Sequence, residues 1–185
     1  MIRKYENKDR EAFQKICLET APENLKSSAK KANFLLYRYC DYYIDNFPEF
    51  CFSLTGENDE AVGYILCCPD SVKYKNEFVS KGEDCLSLTF WQKSGLKFDT
   101  KIYLPYYDKY PAHLHIDILP EYQHKGFGTE LIFSLTNELS KHNINGVMLC
   151  VGEKNENAVN FYLKNNFTTI KKLPGSLLLG KLCNK

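Results

Sequence analysis

The sequence predicts an α+β fold in which helices pack against a mixed sheet. Two patterns support this prediction. Residues 50–54 and 61–68 are apolar runs joined by the turn Gly-Glu-Asn-Asp, which is typical of an antiparallel hairpin. From residue 113 onward the segments follow the order strand, helix, strand, helix, strand, strand, which is typical of a sheet covered by helices. We expect one domain, 1–185, because this length is enough for a single sizeable core.

The first half of the chain gives weaker signals. Residues 2–5 are a candidate strand, and Asp9 is a candidate N-cap for a helix with Phe13 on its apolar face. A longer helix is predicted over about residues 28–46, with an aromatic and apolar stripe at helical spacing. We interpret residues 71–111 as an irregular or helical elaboration over the sheet.

The second half has clearer periodicity. The predicted strands are 113–119, 146–151, 167–173 and 176–182, and the predicted helices are 128–142 and 155–166. Pro174 and Gly175 form the turn between the last two strands.

Composition excludes several classes of protein. The chain has 24 basic and 23 acidic residues, a net charge of +1, which argues against a broad surface for nucleic acid or anionic membrane. No run approaches the ~18 apolar residues of a membrane span. Residues 1–13 lack the apolar centre of a signal peptide. We therefore expect a cytoplasmic protein with neither nucleic-acid nor membrane partners.

The chain has eight cysteines, and none forms a C-x-x-C pair. Most of them lie within apolar runs. We therefore expect buried, reduced thiols rather than disulfides or zinc ligands.

A glycine-rich loop, 123–129, joins the strand at 113–119 to the next predicted helix. Gly126 and Gly128 allow the backbone to approach an anion where the first N–H groups of a helix are unpaired, and Lys125 adds positive charge. Taken alone, the loop could also be a tight connection without a ligand. A P-loop is excluded because no Gly-Lys-Ser/Thr follows. The dinucleotide fingerprint is excluded because it needs glycine where Leu131 stands.

Two motifs resemble the GNAT acetyltransferase superfamily. The loop QHKGFGT, 123–129, is similar to the family's Q/R-x-x-G-x-G/A loop, which binds the pyrophosphate of acetyl-CoA through backbone N–H groups. NENAVNFYLKNNF, 155–167, is similar to the second motif, N-x-x-A-x-x-x-Y-x-K-x-G-F. Asn166 replaces the motif's glycine, and asparagine is the next best residue for a left-handed helix cap.

This resemblance covers about residues 113–182. It implies a central mixed, largely antiparallel sheet with splayed central strands and helices on both faces. It also implies an N-acetyltransferase that uses acetyl-CoA as co-substrate, with no metal. A primary amine would attack the thioester directly in a ternary complex. Residues 71–111 would then lie over the acceptor side.

A narrower likeness lies in residues 110–120 and in LPGSLLLGKL, 173–182. Both stretches resemble bacterial relatives of the acetyltransferase-like domain of the bifunctional O-GlcNAc hydrolase. Some members of that group are thought to have lost acetyl-CoA binding. The intact glycines of the loop argue that binding survives in this chain.

The family resemblance implies specific roles. The pantetheine arm would pair with the strand that ends at Ile118 and Leu119, and N–H groups near Leu119 would polarise the thioester carbonyl. Tyr162 would protonate the leaving thiolate, Asn155 would bind pantetheine or phosphate, and Lys164 would reach the 3′-phosphate. The residues implied to bind acetyl-CoA are Ile118, Leu119, Gln123, His124, Lys125, Gly126, Phe127, Gly128, Thr129, Asn155, Ala158, Tyr162 and Lys164.

One strand face is a candidate for the base. His113, His115 and Asp117 alternate with apolar residues, so they share a face that we expect to open onto a wet cleft. A base is needed because a lysine-like ammonium has a pKa of ~10.4. Asp117 is the first candidate and His115 the second. The alternative is that His115 and Asp117 satisfy each other structurally.

Two other functions stay open from the sequence. His113, His115 and Asp117 could hold zinc in a metal-dependent hydrolase. A non-catalytic module could bind CoA while the aromatic residues of 98–110 hold a peptide or sugar. The acceptor stays open among polyamine, aminoglycoside, amino sugar, peptide N-terminus and protein lysine, and oligomeric state stays unassigned.

Overall fold

A computed structural model describes residues 1–183, apart from the side chain of Asp99. The last two residues of the predicted domain lie outside this range. Seven strands form one sheet in the order β1-β2-β3-β4-β5-β7-β6, and β4–β5 is its parallel pair. The strands are β1 (Ile2–Lys4), β2 (Phe52–Thr55), β3 (Ala61–Cys68), β4 (Ala112–Ile118), β5 (Gly146–Gly152), β6 (Thr168–Leu173) and β7 (Ser176–Leu182). The predicted mixed, largely antiparallel sheet is confirmed.

Helices cover both faces of this sheet, as predicted. They are α1 (Arg10–Thr20), α2 (Glu23–Lys26), α3 (Ala29–Leu36), α4 (Tyr42–Asn46), α5 (Ser71–Cys85), α6 (Phe90–Ile102), α7 (Phe127–Lys141) and α8 (Glu156–Lys164). On one face, Phe13 of α1 packs against Tyr64 of β3 with ring centroids 4.9 Å apart. On the other, Gly128 of α7 lies against Phe161 of α8 and Ile118 of β4.

The helix predicted over 28–46 is one helical run with an interruption. Ser28 caps α3 by accepting a hydrogen bond from Lys31 N at 3.4 Å. A π-helical segment, Tyr37–Asp41, then separates α3 from α4. Such segments are rare and are found frequently at functional sites. Tyr43 lies two residues after this segment, and its hydroxyl reaches His113 and His115 on the polar face of β4, the face that also carries Asp117.

The helical interpretation of 71–111 is confirmed by α5 and α6. Asp70 caps α5 through the N–H groups of Val72 and Lys73, at 2.8 and 3.0 Å. Thr89 and Gln92 form a capping box at the start of α6. Both signals are present in the sequence and would have located these helix starts. The aromatic face of α5 packs onto the π segment, with Phe78 stacked on Tyr37 at 5.0 Å.

The role expected of Asp9 is corrected. It stands at the N-cap position of α1, but its side chain makes no capping hydrogen bond. The buried carboxylate instead accepts hydrogen bonds from Arg3 at 2.6 and 2.8 Å and from Ser53 at 2.7 Å. A charge-assisted, bidentate pair is stronger than a neutral cap bond, so the carboxylate joins β1, β2 and the start of α1.

The left-handed cap predicted at Asn166 and the predicted turn at Gly175 are both confirmed. Asn166 has φ 64° after α8, and Gly175 has φ 74° in the turn before β7. All eight cysteines are free thiols, and all but Cys85 and Cys150 are buried. Within residues 1–183, no helix is both long and apolar enough to cross a bilayer.

The sheet opens between its two central strands. Six residues of β4, His113 to Ile118, pair with β3. Toward β5, the paired residues are Ala112 with Val147 and His113 with Met148. Beyond His113 the two strands separate, so the predicted splay is confirmed. The gap begins beside the polar face of β4.

Candidate functional site

Backbone groups of β4 face the gap between β4 and β5. Leu119 N–H donates to Val62 O at 3.0 Å, so Leu119 and Val62 form a hydrogen-bonded pair. In an antiparallel ladder such pairs alternate, which turns the N–H and C=O groups of Ile116 and Ile118 away from β3. These groups point into the gap. The N–H of Leu119 itself is therefore already used, and the free N–H groups near it are those of Ile118 and Ile116.

The loop after β4 presents a row of backbone donors. It begins with His124 at φ 60° and reaches α7 through Gly126 at φ 89°. Within residues 1–183, the N–H groups of residues 124–128 have no hydrogen-bond acceptor. Most of this loop is exposed. Free N–H groups at the start of a fifteen-residue helix favour an anion, because the partial charge of the helix end is positive.

The two glycines of the loop are required for different reasons. Gly126 has open space around it, but its φ of 89° lies in the left-handed region that a side chain disfavours. Gly128 has an ordinary helical backbone, but a Cβ there would meet the Phe161 ring at 2.8 Å. One glycine shapes the turn, and the other lets α8 pack against the first turn of α7.

Polar side chains of the loop hold it against the end of β4. Gln123 Nε2 donates to Ile118 O at 2.7 Å. The Lys125 ammonium lies 5.5 Å from the centre of the Tyr122 ring. Lys125 and Thr129 are exposed, and Phe127 is half-buried. Gln123 thus braces the loop, a role that the sequence did not suggest.

The second motif places its residues around α8. Asn155 Oδ1 caps this helix by accepting a hydrogen bond from Ala158 N at 3.1 Å, which leaves the side-chain NH₂ as its ligand-facing donor. Ala158 packs against the core. Lys164 is exposed at the end of α8. The oxygen of the Asn155 side chain is thus engaged in the cap, and its amide nitrogen is the group left for the predicted contact with a ligand.

Tyr162 is buried, with 8% of its surface exposed. Its ring packs between Phe161 and Phe167, at centroid distances of 5.2 and 5.4 Å. The hydroxyl has no hydrogen-bond partner within residues 1–183, and it is not enclosed like the unpartnered hydroxyls of Tyr5 and Tyr42. Burial, together with the charge of Asp117, raises the pKa of Tyr162, so the phenol keeps its proton. It is a proton donor that can reach a ligand.

Asp117 is half-buried on the α1 face of β4 and accepts a hydrogen bond from the Tyr64 hydroxyl at 2.7 Å. Burial raises the pKa of Asp117 to about 6, and the hydrogen bond from Tyr64 offsets part of that rise. The carboxylate is therefore mostly ionised near pH 7 while being a much better base than an exposed aspartate.

His115 and Asp117 do not satisfy each other, contrary to the structural alternative. His113 and His115 instead share the Tyr43 hydroxyl, through Nε2 distances of 3.2 and 3.0 Å. Burial lowers the pKa of His113 well below its usual value and that of His115 to about 3. Both imidazoles are neutral, so His115 is too weak a base for the role assigned to it.

The expected wet face is only partly open. His113 is fully buried among aromatic rings, with Tyr103 stacked on it at 4.5 Å. Among the side chains that the structure describes, which leave out Asp99, no three of His, Cys, Asp or Glu form a group that could hold a metal ion. The hydrolase interpretation loses His113 as a ligand, because both ring nitrogens of His113 already have protein partners.

Several residues of the site were not found from the sequence. Tyr43, Tyr64 and Ser71 contact the polar face of β4 from three different elements. Cys150 is exposed on β5, on the same face as His113, because Met148 pairs with His113 and side chains alternate. No local pattern marks these residues, since only the folded sheet brings them together.

Two open surface cavities lie away from these residues. One is lined by residues 105–110 and 168–170. The other lies between α1, the π segment and α5. Neither contains the loop, Asp117 or Tyr162.

Comparisons with known proteins agree with this geometry. The sequence model described as the acetyltransferase (GNAT) family matches residues 11–167. Among solved structures, SsHAT superposes with a TM-score of 0.87 and 25% identity, over 100% of this chain and 98% of that chain.

Two more distant structures share the fold. The PaiA N-acetyltransferase from Thermoplasma acidophilum, in complex with coenzyme A, has 15% identity and a TM-score of 0.61, over 98% of each chain. YncA, a putative acetyltransferase from Salmonella typhimurium with its cofactor acetyl-CoA, has 14% identity and a TM-score of 0.62. That match covers 100% of this chain and 94% of YncA.

Proposed function

Because the chain belongs to the acetyltransferase (GNAT) family, we propose that it is an N-acetyltransferase that moves an acetyl group from acetyl-CoA to a primary amine. The observation that carries this proposal is the row of free N–H groups at 124–128, beside the open edge of β4. An anion site and an unpaired strand edge are what a ligand with a diphosphate and an amide-containing arm requires.

The ligand has a defined place in this arrangement. The diphosphate binds the N–H groups of residues 124–128, with Lys125 at its edge. The pantetheine arm runs from the loop back along the free edge of β4 as an added strand, and it meets the N–H of Ile118 first. The N–H of Ile116, farther from the loop, is then the donor for the oxyanion that forms when the thioester carbonyl is attacked. The amine attacks this carbonyl directly, so no acyl-enzyme forms.

Two side chains handle the protons. Asp117 accepts a proton from the substrate ammonium, so that the amine lone pair can attack the carbonyl carbon. Tyr162 donates its phenolic proton to the sulfur as the C–S bond breaks, giving CoA and the acetylated amine. Burial raises the pKa of Tyr162, so the phenol carries a proton at neutral pH and has a hydrogen to donate to the sulfur.

Related proteins support the choice of co-substrate. PaiA and YncA, which share the fold, were solved with coenzyme A and acetyl-CoA. We also propose the narrower kinship with bacterial relatives of the acetyltransferase-like domain of the bifunctional O-GlcNAc hydrolase, on residues 110–120 and 173–182. The open loop around Gly126 favours an active enzyme over a module that has lost the ligand.

The loop assignment is tested by Gly126→Glu. A side chain at φ 89° costs about 1–2 kcal/mol, and the added carboxylate repels the diphosphate, so acetyl-CoA affinity should fall about 100-fold or more. Calorimetry measures the dissociation constant. Gly95→Glu is the matched control. Gly95 lies on α6, away from the loop, and a Cβ added there meets nothing within 4 Å.

Equal affinity of Gly126→Glu and wild type would show that the diphosphate does not bind this loop. Acetyl transfer is measured separately as CoA release across a panel of primary amines. Tight acetyl-CoA binding without transfer to any amine would favour the non-catalytic module.

A further inference from the structure

A hydrogen-bonded chain runs behind the polar face of β4. Ser71 Oγ lies 2.8 Å from Pro111 O and 3.1 Å from His113 Nδ1. His113 Nε2 lies 3.2 Å from the Tyr43 hydroxyl, which in turn lies 3.0 Å from His115 Nε2. The chain thus begins at a backbone carbonyl and ends at His115, beside the base proposed above.

The first contact sets the direction of every hydrogen in the chain. A carbonyl oxygen can only accept, so the Ser71 hydroxyl donates its single hydrogen to Pro111. Ser71 Oγ must therefore accept from His113, which places the ring hydrogen of His113 on Nδ1. Because His113 is fully buried and neutral, its Nε2 carries a lone pair.

The next two contacts follow from that lone pair. The Tyr43 hydroxyl also hydrogen-bonds with the Tyr74 side chain, but it is the group that faces the lone pair of His113 Nε2, so its single hydrogen goes there and its oxygen accepts from His115. His115 therefore carries its hydrogen on Nε2. The reversed chain would leave the oxygens of Ser71 and Pro111 2.8 Å apart with no hydrogen between them, which is repulsive.

These contacts leave His115 with one ring nitrogen, Nδ1, that is free to accept a hydrogen bond. His115 is neutral, so its Nδ1 holds a lone pair. Among the described side chains, which leave out Asp99, Nδ1 has no hydrogen-bond partner, and it is not one of the enclosed polar atoms that lack a partner. Asp117 stands two residues further along the same face of β4.

We propose that Ser71, His113 and Tyr43 are positioning residues that hold His115 as its Nε2–H tautomer, so that Nδ1 accepts an N–H of the amine substrate beside Asp117. This inference rests on the proposed acetyltransferase function. A primary ammonium has three N–H groups, so it can donate to His115 and Asp117 together. The chain is no proton relay, because it ends at a carbonyl that cannot pass a proton on.

The tautomer is tested directly by nitrogen-15 NMR of the imidazole rings. The chain has four histidines, and the exposed His124 and His142 provide reference signals. His115→Asn assigns the resonances. We expect His115 protonated at Nε2 and bare at Nδ1, and His113 the reverse. Protonation of His115 at Nδ1 would overturn the proposal, whatever the activity of the protein.

The effect on the substrate is tested with Tyr43→Phe. Without the hydroxyl, His115 exchanges between tautomers, and KM for the amine should rise about tenfold with kcat changed less than about twofold. Acetyl-CoA affinity should stay unchanged, because the loop lies beyond the other end of β4. Ser71→Ala should shift the His113 signals and give a smaller rise in KM.

Tyr42→Phe is the matched control, since it removes a neighbouring buried hydroxyl that has no partner within residues 1–183. It should leave the imidazole spectrum and KM as in wild type. An unchanged His115 spectrum and amine KM in Tyr43→Phe would disprove the positioning role. Failure of the acetyltransferase proposal would show separately, as wild-type protein that binds no acetyl-CoA.

Discussion

The half-buried carboxylate of Asp117 has a raised pKa, which suits a base but makes its ionised form unfavourable in the folded protein. Its pKa is raised from 3.8 to about 6 because β4 places it under α1, out of water. Tyr64 supplies a hydrogen bond but no positive charge. A nearby lysine or arginine would have returned the pKa to an acidic value and removed the base.

The raised pKa predicts a pH-dependent stability difference. The folded state favours the protonated carboxyl of Asp117, so this stabilisation is complete below pH 3.8 and is lost as pH rises through about 6. The difference corresponds to roughly 3 kcal/mol. The unfolding free energy of wild type, relative to Asp117→Asn, should fall by up to that amount between pH 4 and pH 7. Urea unfolding at several pH values measures it.

Asp59→Asn provides a control of opposite sign. Hydrogen bonds from Lys8 and Arg3 lower the pKa of the exposed Asp59, so its contribution grows as pH rises. A wild-type minus Asp117→Asn difference that does not change with pH would contradict the buried state of Asp117. The same group should make kcat/KM rise with pH through about 6, and Asp117→Asn should lack this rise.

Tyr162 predicts a different pattern of kinetics. Tyr162→Phe keeps the ring that packs between Phe161 and Phe167 but removes the hydroxyl. We expect kcat to fall roughly 100-fold or more, since a general acid contributes about 10²–10⁴-fold. Acetyl-CoA affinity should change little, because the loop and β4 hold the ligand. Stopped-flow CoA release and calorimetry measure the two quantities, and an unchanged kcat would exclude Tyr162 as the acid.

The candidate site lies where β4 and β5 stop pairing with each other. Their shared register ends at His113 and Met148, and beyond that point each strand has a free edge. Cys150 lies two residues beyond Met148 on the face that carries His115. This places an exposed thiol next to the position that we assign to the thioester.

Cys150 and Cys85 are therefore an internal pair of probes. Both are exposed, but Cys85 ends α5, away from the gap. Acetyl-CoA should slow alkylation of Cys150 by iodoacetamide about tenfold or more, because the ligand covers the free edge of β5, whereas Cys85 should react at an unchanged rate. Peptide mass spectrometry measures both rates. Equal protection of the two thiols, or of neither, would argue against a ligand in this gap.

The sequence predicted elements whose signals are local. Gly126 and Asn166 were assigned correctly because a left-handed backbone is a local property, whereas Gly128 is required by its packing against Phe161, which the sequence did not indicate. The side-chain role of Asp9 was wrong, since its partners Arg3 and Ser53 come from two strands. The π segment at Tyr37–Asp41 leaves no mark on apolar periodicity, which is why one uninterrupted helix was predicted.

Neither the free N–H groups of β4 nor the hydrogen-bonded chain through His113 and His115 could be predicted from the sequence, for a related reason. The strand 113–119 was predicted, but which N–H groups turn toward the gap depends on its register with β3, such as Leu119 with Val62. Likewise, His113 and His115 were identified as polar residues, but Tyr43 approaches them from the helix that crosses the sheet. Register and crossing are tertiary properties, so single-sequence patterns do not contain them.

The protein as a whole is a sheet in two parts, β1–β4 and β5–β7, that pair through only two residues of each central strand. Helices α7 and α8 bridge the parts, meeting where Phe161 covers Gly128. A ligand in the gap adds hydrogen bonds to one free edge and fills the space beside the other. Binding should therefore stabilise both parts together.

This arrangement predicts a large and localised effect of acetyl-CoA. At 100 times its dissociation constant a ligand adds about 2.7 kcal/mol, which raises Tm by about 5–11 °C in a protein of this size. Differential scanning calorimetry measures the shift, and hydrogen exchange should show protection at Ile116, Ile118 and residues 124–128. Gly126→Glu should show neither effect at the same ligand concentration. Protection confined to the cavity beside residues 105–110 would instead mean that the ligand binds outside the gap. The separation of β4 from β5 would then need another explanation.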